Sequence, residues 1–216
     1  MKKGAIFDMD GLLFDTERLY RDSWMIRATE LGLEPDPEFP KAVCGSSGEL
    51  MLEIIRQYYP DIEPEILRDA CIERVNECLK AAVPEKPGVH EILSFMKENG
   101  VRIAVASSSP IETIQSNLER TGILSFFDVI TSGQEVEKGK PEPDIFLLAA
   151  QRLELEPEDC YVFEDGSNGI HAGAAAGCTT VMIPDLTEPN EELKNLTAGI
   201  YDSLMEAKEA IIRGEI

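Results

Sequence analysis

The five cysteines, Cys44, Cys71, Cys78, Cys160 and Cys178, are odd in number and scattered, and none forms a CxxC pair. That pattern indicates neither a disulfide framework nor a zinc site, and it fits small buried thiols in a reducing compartment. Basic residues are scarce. Lysine and arginine total 20 against 41 aspartates and glutamates, for a formal net charge of -21. A field of that sign repels nucleic acid and anionic membrane surfaces, so neither is expected as a partner. No stretch of 18 or more apolar residues occurs, and no basic, then apolar, then small-residue leader opens the chain, so a cytoplasmic protein is expected. Internal repeats are also absent.

What is present is a rhythm of helix, glycine and apolar strand. "KENGVRIAVAS" closes a helix at Gly100 and begins a strand near Val101. "LERTGILSFFDVITS" repeats the move at Gly122, with a strand over about 128–131, and "AAAGCTTVMIP" repeats it at Gly177. Glycine just past a helix takes the left-handed conformation that ends it. With "GAIFD" and "CYVFED" this predicts at least five strands, and a short sixth near Gly199, in a Rossmann-like α/β fold with a parallel sheet. Residues 16–83 break the rhythm. They read as helices over about 16–31, 48–59 and 64–82, bounded by the proline-rich "LEPDPEFP" and "VPEKPG". The expected division is therefore a catalytic core of residues 1–15 and 84–216 with a helical cap, 16–83, inserted after the first strand. Such an insertion is expected over the carboxyl ends of the strands, where open α/β sheets keep ligands.

Polar residues cluster at those predicted strand ends. Asp8 and Asp10 follow the first strand two residues apart, and side chains at that spacing share one side of an extended backbone. Ser107 ends "IAVASSS", Glu164 and Asp165 follow "CYVF", and Lys140 stands in "EKGKPEPD" ahead of a helix starting near Asp144. Parallel strands bring their carboxyl ends to one edge, so these residues converge. Burying carboxylates costs several kcal/mol each unless something compensates. Hard oxygen ligands suit Mg²⁺, and Mg²⁺ with a lysine balances the charge of a phosphate.

These four motifs, "FDMDGLLFDTE", "VASSS", "GKPEPD" and "VFEDGSNGI", occur in this order. The chain resembles the haloacid dehalogenase-like phosphohydrolases, in particular the branch of small sugar-phosphate phosphatases and β-phosphoglucomutase. The resemblance implies Asp8 as a nucleophile that becomes an aspartyl-phosphate, and Asp10 as general acid and then base. It implies Mg²⁺ held by Asp8, the backbone carbonyl of Asp10, Asp165 and Glu164. The phosphate would be met by Ser107, Ser108, Lys140 and the backbone N–H groups from Met9 onward. The implied partner is a small phosphorylated metabolite, and a monomer is expected.

The second acid divides the family. Dehalogenases lack it because halide leaves without a proton, so Asp10 points to phosphate esters. The mutase holds its substrate with a histidine and an arginine of the cap; Tyr20 and Gly48 stand at the matching positions here, which favours a phosphatase. A receiver-type signalling domain shares the aspartates, hydroxyl and lysine but carries no inserted cap. Thr16 and Glu17 are read as a hinge pair that could touch substrate, and specificity is expected in residues 16–20 and 44–48. Asp15 is read as an N-cap, Gly11 as a turn off the first strand and His171 as an ordinary helix residue. Trp24, Met25 and Ile26 are read as cap core.

Overall fold

A computed structural model describes residues 1–44, 46 and 48–216. Gly45 and Ser47, part of the segment 44–48 named above for specificity, lie outside the described residues. The chain begins with β1 (Gly4–Phe7), followed by α1 (Thr16–Glu30), α2 (Phe39–Val43), α3 (Gly48–Tyr58) and α4 (Pro64–Ala81). Then come α5 (Val89–Glu98), β2 (Arg102–Ser107), α6 (Ile111–Arg120), β3 (Val129–Ser132) and α7 (Asp144–Arg152). It ends with β4 (Cys160–Glu164), α8 (Ser167–Ala175), β5 (Thr179–Met182), α9 (Glu191–Leu196), β6 (Gly199–Ile200) and α10 (Leu204–Arg213). These elements form two compact units, residues 1–14 with 85–216, and residues 15–84.

The first unit is a parallel six-stranded sheet in the order β3-β2-β1-β4-β5-β6, the expected Rossmann-like α/β fold. The strands are apolar on both faces because helices cover both, as all-parallel sheets require. Ile6, Ala104, Ala106 and Val162 meet α7 and α8 through Phe146, Ala149, Ala150 and Ala172. Alternation turns Phe7 and Phe163 the other way, where their rings stack at 4.6 Å. β1 lies between β2 and β4, so the residues after β1 fall between the ends of its two neighbours. Several boundaries differ by one residue from the sequence reading. β2 starts at Arg102, and β3 starts at Val129 because the Asp128 carboxylate turns back to accept from the Ile103 N–H at 2.8 Å.

After Phe7 the chain winds into a tight loop. The Leu13 and Phe14 N–H groups both donate to the Met9 carbonyl at 3.0 Å, and Gly11 takes a φ of 85°, which only glycine adopts without cost. The outgoing and returning strands of the connection then run side by side. Lys86 N–H donates to the Leu13 carbonyl at 2.9 Å and Asp15 N–H to the Pro84 carbonyl at 2.8 Å. Lys86 also pairs with the buried Asp185 carboxylate, beyond β5, at 2.8 Å.

The second unit packs α1–α4 around Trp24, Phe39, Ile55, Leu67, Cys71 and Val75. Phe39 is its centre, edge-on to Trp24 at 5.3 Å and to Tyr59 at 4.9 Å. Of the three residues expected in this core, Trp24 is buried while Met25 and Ile26 are half-buried and outside the cluster, as one helix face cannot point three successive side chains inward. Asp15 precedes α1 but makes no side-chain capping bond. Its backbone (φ -78°, ψ 55°) departs from the extended cap geometry, and its carboxylate lies 3.5 Å from Arg18 Nε instead.

Candidate active site

At the carboxyl edge of the sheet, Asp8 leaves β1 and Glu164 ends β4, its immediate neighbour. Lys140 Nζ stands between them, 2.5 Å from Asp8 Oδ1 and 2.6 Å from Glu164 Oε1, and donates also to the Ala106 carbonyl at 3.2 Å. The three side chains are 9%, 4% and 6% exposed for Asp8, Glu164 and Lys140 respectively. Asp165 joins them: one carboxylate oxygen each from Asp8, Glu164 and Asp165 lie within 4.8 Å of one another.

Local structure fixes each member. The Glu164 carboxylate folds back to accept from the N–H groups of Asp165 at 3.1 Å and Gly166 at 3.3 Å. It lies against the backbone of α8 at Gly169, where a Cβ would collide with it and force the carboxylate to move. Lys140 extends past the Phe146 ring, 4.9 Å from its centre. Burial pushes the Asp8 carboxyl well above the usual carboxylate range; Lys140 opposes this, while Glu164 and Asp10 add to it. For Lys140, burial acts to lower the pKa, but Asp8 and Glu164 outweigh it and hold the ammonium charged.

Asp10 faces a different set of partners. Its Oδ2 accepts from Ser109 Oγ at 2.9 Å and from Ser107 Oγ at 3.2 Å, and its carboxylate is not among the three gathered oxygens. Ser107 is the last residue of β2 rather than the first beyond it, and is buried. Ser132 Oγ, at the end of β3, donates to the Ser109 carbonyl at 2.7 Å, and Ser109 N–H donates to Ser107 Oγ at 3.1 Å. Four neighbouring strand ends thus contribute to one continuous polar cluster.

The sheet edge therefore brings together Asp8, Asp10, Ser107, Lys140, Glu164 and Asp165. Met9 has a buried side chain, and Ser108 is half-buried with Gly133 close against its backbone. Thr16 and Glu17 belong to the helical unit, where Thr16 is buried and Glu17 Oε2 accepts from the Cys44 thiol at 3.1 Å. His171 is engaged by the Ser167 carbonyl at 2.8 Å and by Glu192 at 3.1 Å, as befits a helix residue. Two residues escaped the sequence reading. Ser109 was hidden in a run of three serines, and Gly169 in a helix where only the approach of Glu164 explains it.

The donor set fits a divalent cation. With all three acids ionised, as cation binding requires, three carboxylates against one ammonium leave a formal charge of -2. All three ligand atoms are hard oxygens, and the Gly169 backbone leaves Glu164 room to join them. None of the five cysteines forms a disulfide. Burial pushes the Cys160 thiol up to about 11 and that of Cys178 up to about 12, which makes them poor nucleophiles. Among the described residues no helix is long and apolar enough to cross a membrane.

Known proteins resemble the chain along most of its length. Residues 5–183 match the haloacid dehalogenase-like hydrolase family. A phosphorylated carbohydrates phosphatase of Thermotoga maritima is 32% identical over 81% of this chain and 82% of its own. The fructose-1-phosphate phosphatase YqaB of Escherichia coli is 34% identical over 83% and 95%. Among solved structures, β-phosphoglucomutase from Clostridium difficile superposes with a TM-score of 0.82 at 26% identity, covering 100% of this chain and 97% of that one. With its motifs gathered at one sheet edge, the chain belongs to the haloacid dehalogenase-like hydrolases, in the branch of the sugar-phosphate phosphatases.

Proposed function

We propose that the protein is a Mg²⁺-dependent phosphatase of small phosphorylated carbohydrates that works through an aspartyl-phosphate on Asp8. The observation that carries this is the buried Lys140 ammonium between Asp8 and Glu164 at the ends of adjacent strands. Such a cluster is costly to bury and is of use only where negative charge must be concentrated and then neutralised. The relatives' substrates, phosphorylated carbohydrates and fructose 1-phosphate, indicate the class.

In this reading Asp8 Oδ attacks phosphorus, forming an acyl phosphate as the ester P–O bond breaks. Asp10 gives its proton to the leaving oxygen, then takes one from the water that releases phosphate, and so returns to its starting state. Lys140 balances Asp8 and the incoming phosphoryl group, Ser107 and Ser108 donate to the phosphoryl oxygens, and the Met9 N–H completes the cradle. Asp8, Asp165, Glu164 and the Asp10 carbonyl would hold Mg²⁺, which when bound draws charge from the phosphoryl oxygens. Thr16, Glu17 and residues 44–48 of the helical unit are proposed to select the substrate.

Phosphate release from fructose 1-phosphate and from p-nitrophenyl phosphate tests the proposal. Both reactions should require Mg²⁺ and stop with EDTA, and Asp8→Asn should stop both. Turnover retained by Asp8→Asn would overturn the covalent route. The likeness to β-phosphoglucomutase supports a second reading, phosphoryl transfer between positions of one hexose. Isomerised hexose phosphate formed faster than free phosphate would establish it. A receiver-type module would hold its phosphate after one transfer, so repeated turnover excludes it.

A further inference from the structure

We propose that Ser109 is a positioning residue that aims the carboxyl group of Asp10 while it delivers its proton to the leaving oxygen. The inference rests on Asp10 serving as the acid. Two hydroxyls, Ser107 Oγ and Ser109 Oγ, grip one oxygen of Asp10, Oδ2. The transfer then balances simply. Phosphorus bonds to Asp8 and the P–O electrons pass to the leaving oxygen. That oxygen takes the proton from the Asp10 carboxyl and leaves as the alcohol, with Asp10 as carboxylate.

The two hydroxyls are not equivalent. Ser107 is the residue assigned to the phosphoryl oxygens, and a hydroxyl has one hydrogen to give. Once Ser107 turns to phosphate, its hold on Asp10 ends, whereas that of Ser109 does not. Ser109 is built for that task. Its carbonyl accepts from Ser132 Oγ at 2.7 Å, and its N–H is bound to Ser107 Oγ at 3.1 Å. Ser132 is itself braced, since its N–H donates to Glu135 Oε2 at 2.9 Å and Arg152 Nη2 holds the other Glu135 oxygen at 2.8 Å. A bonded series therefore runs from α7 through β3 to the acid. Mere packing would not need a hydroxyl at Ser109.

The test exploits the leaving group. An alkoxide cannot depart without a proton, whereas p-nitrophenolate can. Ser109→Ala should lower kcat/KM, which reports only the steps up to loss of the alcohol, about tenfold with fructose 1-phosphate and by less than about twofold with p-nitrophenyl phosphate, and Ser109→Thr should restore the first value. Equal losses on both substrates, or no loss, would overturn the positioning role. Asp10→Asn is run alongside, and should show the same preference more strongly. If Asp10→Asn discriminates and Ser109→Ala does not, the inference fails while Asp10 keeps its role. If Asp10→Asn lowers kcat/KM for both substrates equally, the assignment of Asp10 as the acid fails and takes the inference with it. Should Ser109→Ala melt early by circular dichroism, Ser109→Cys, of similar size but a weak donor, carries the same comparison.

Discussion

The two edges of the sheet treat ion pairs in opposite ways. At the amino edge, Lys3 meets Asp159 and Lys97 meets Asp128 at 2.7 and 2.8 Å, yet the Lys97 and Asp128 side chains remain 43% and 38% exposed. At the carboxyl edge, Lys140 is sealed between two acids with Asp165 beside them. Contact distance hardly separates the two edges; burial does. Exposed pairs contribute little because water and salt screen them, while a buried cluster costs desolvation that its mutual attraction only partly returns. Stability alone does not account for the carboxyl edge; the chemistry proposed for it does.

The sharpest way to break this contrast is to remove the buried cation. Lys140→Met should cut turnover about 10²–10³-fold. It should also lower unfolding free energy in EDTA by about 3–5 kcal/mol, since two buried acids lose their partner. Added Mg²⁺ should raise the melting temperature of that variant more than that of the parent. Equal responses in the two proteins would separate the lysine from the cation site.

Gly169→Ala comes next. The new methyl group displaces the Glu164 carboxylate, so half-activation should need about 10–100 times more Mg²⁺. An unchanged Mg²⁺ requirement would remove Glu164 from the ligand set.

At the other edge the effects are small. Asp128→Ala should cost about 1 kcal/mol at pH 7, limited by solvent around the pair. The sign of its pH dependence follows from the folded carboxyl. Burial tends to raise it, but Lys97 and the Ile103 N–H prevail and hold it below its ordinary value. Its contribution is thus present above the unfolded value, about 3.9, and fades as pH falls through the folded one. Denaturation curves of parent and variant should converge near pH 2–3. Lys3→Ala, on the fully exposed lysine, should leave the melting curve unmoved in physiological salt.

Much of the sheet and its acids could be read from the sequence because burial in a parallel sheet writes continuous apolar runs, and a carboxylate at the end of such a run stands out. "CYVFED" and "GAIFD" carry this signal plainly. The partners of Asp10 were less legible. The rule that residues two apart share a side holds on an extended strand, but β1 ends at Phe7 and the loop bends at Gly11. Asp10 therefore turns its carboxylate to two serines while Asp8 meets Lys140. Ser109 and Gly169 could not be singled out at all, because their importance is a matter of approach between segments remote in sequence. Asp15 shows the same limit on a smaller scale, since a capping residue needs a backbone angle that its identity does not dictate.

The side-by-side passage of residues 13–15 and 84–86 has an evolutionary consequence. An insertion that departs and returns through neighbouring points can be enlarged, trimmed or exchanged for another without shifting the register of any strand. Under the role proposed for the helical unit, new substrate preferences would then arise by grafting, with the strand ends left as they are.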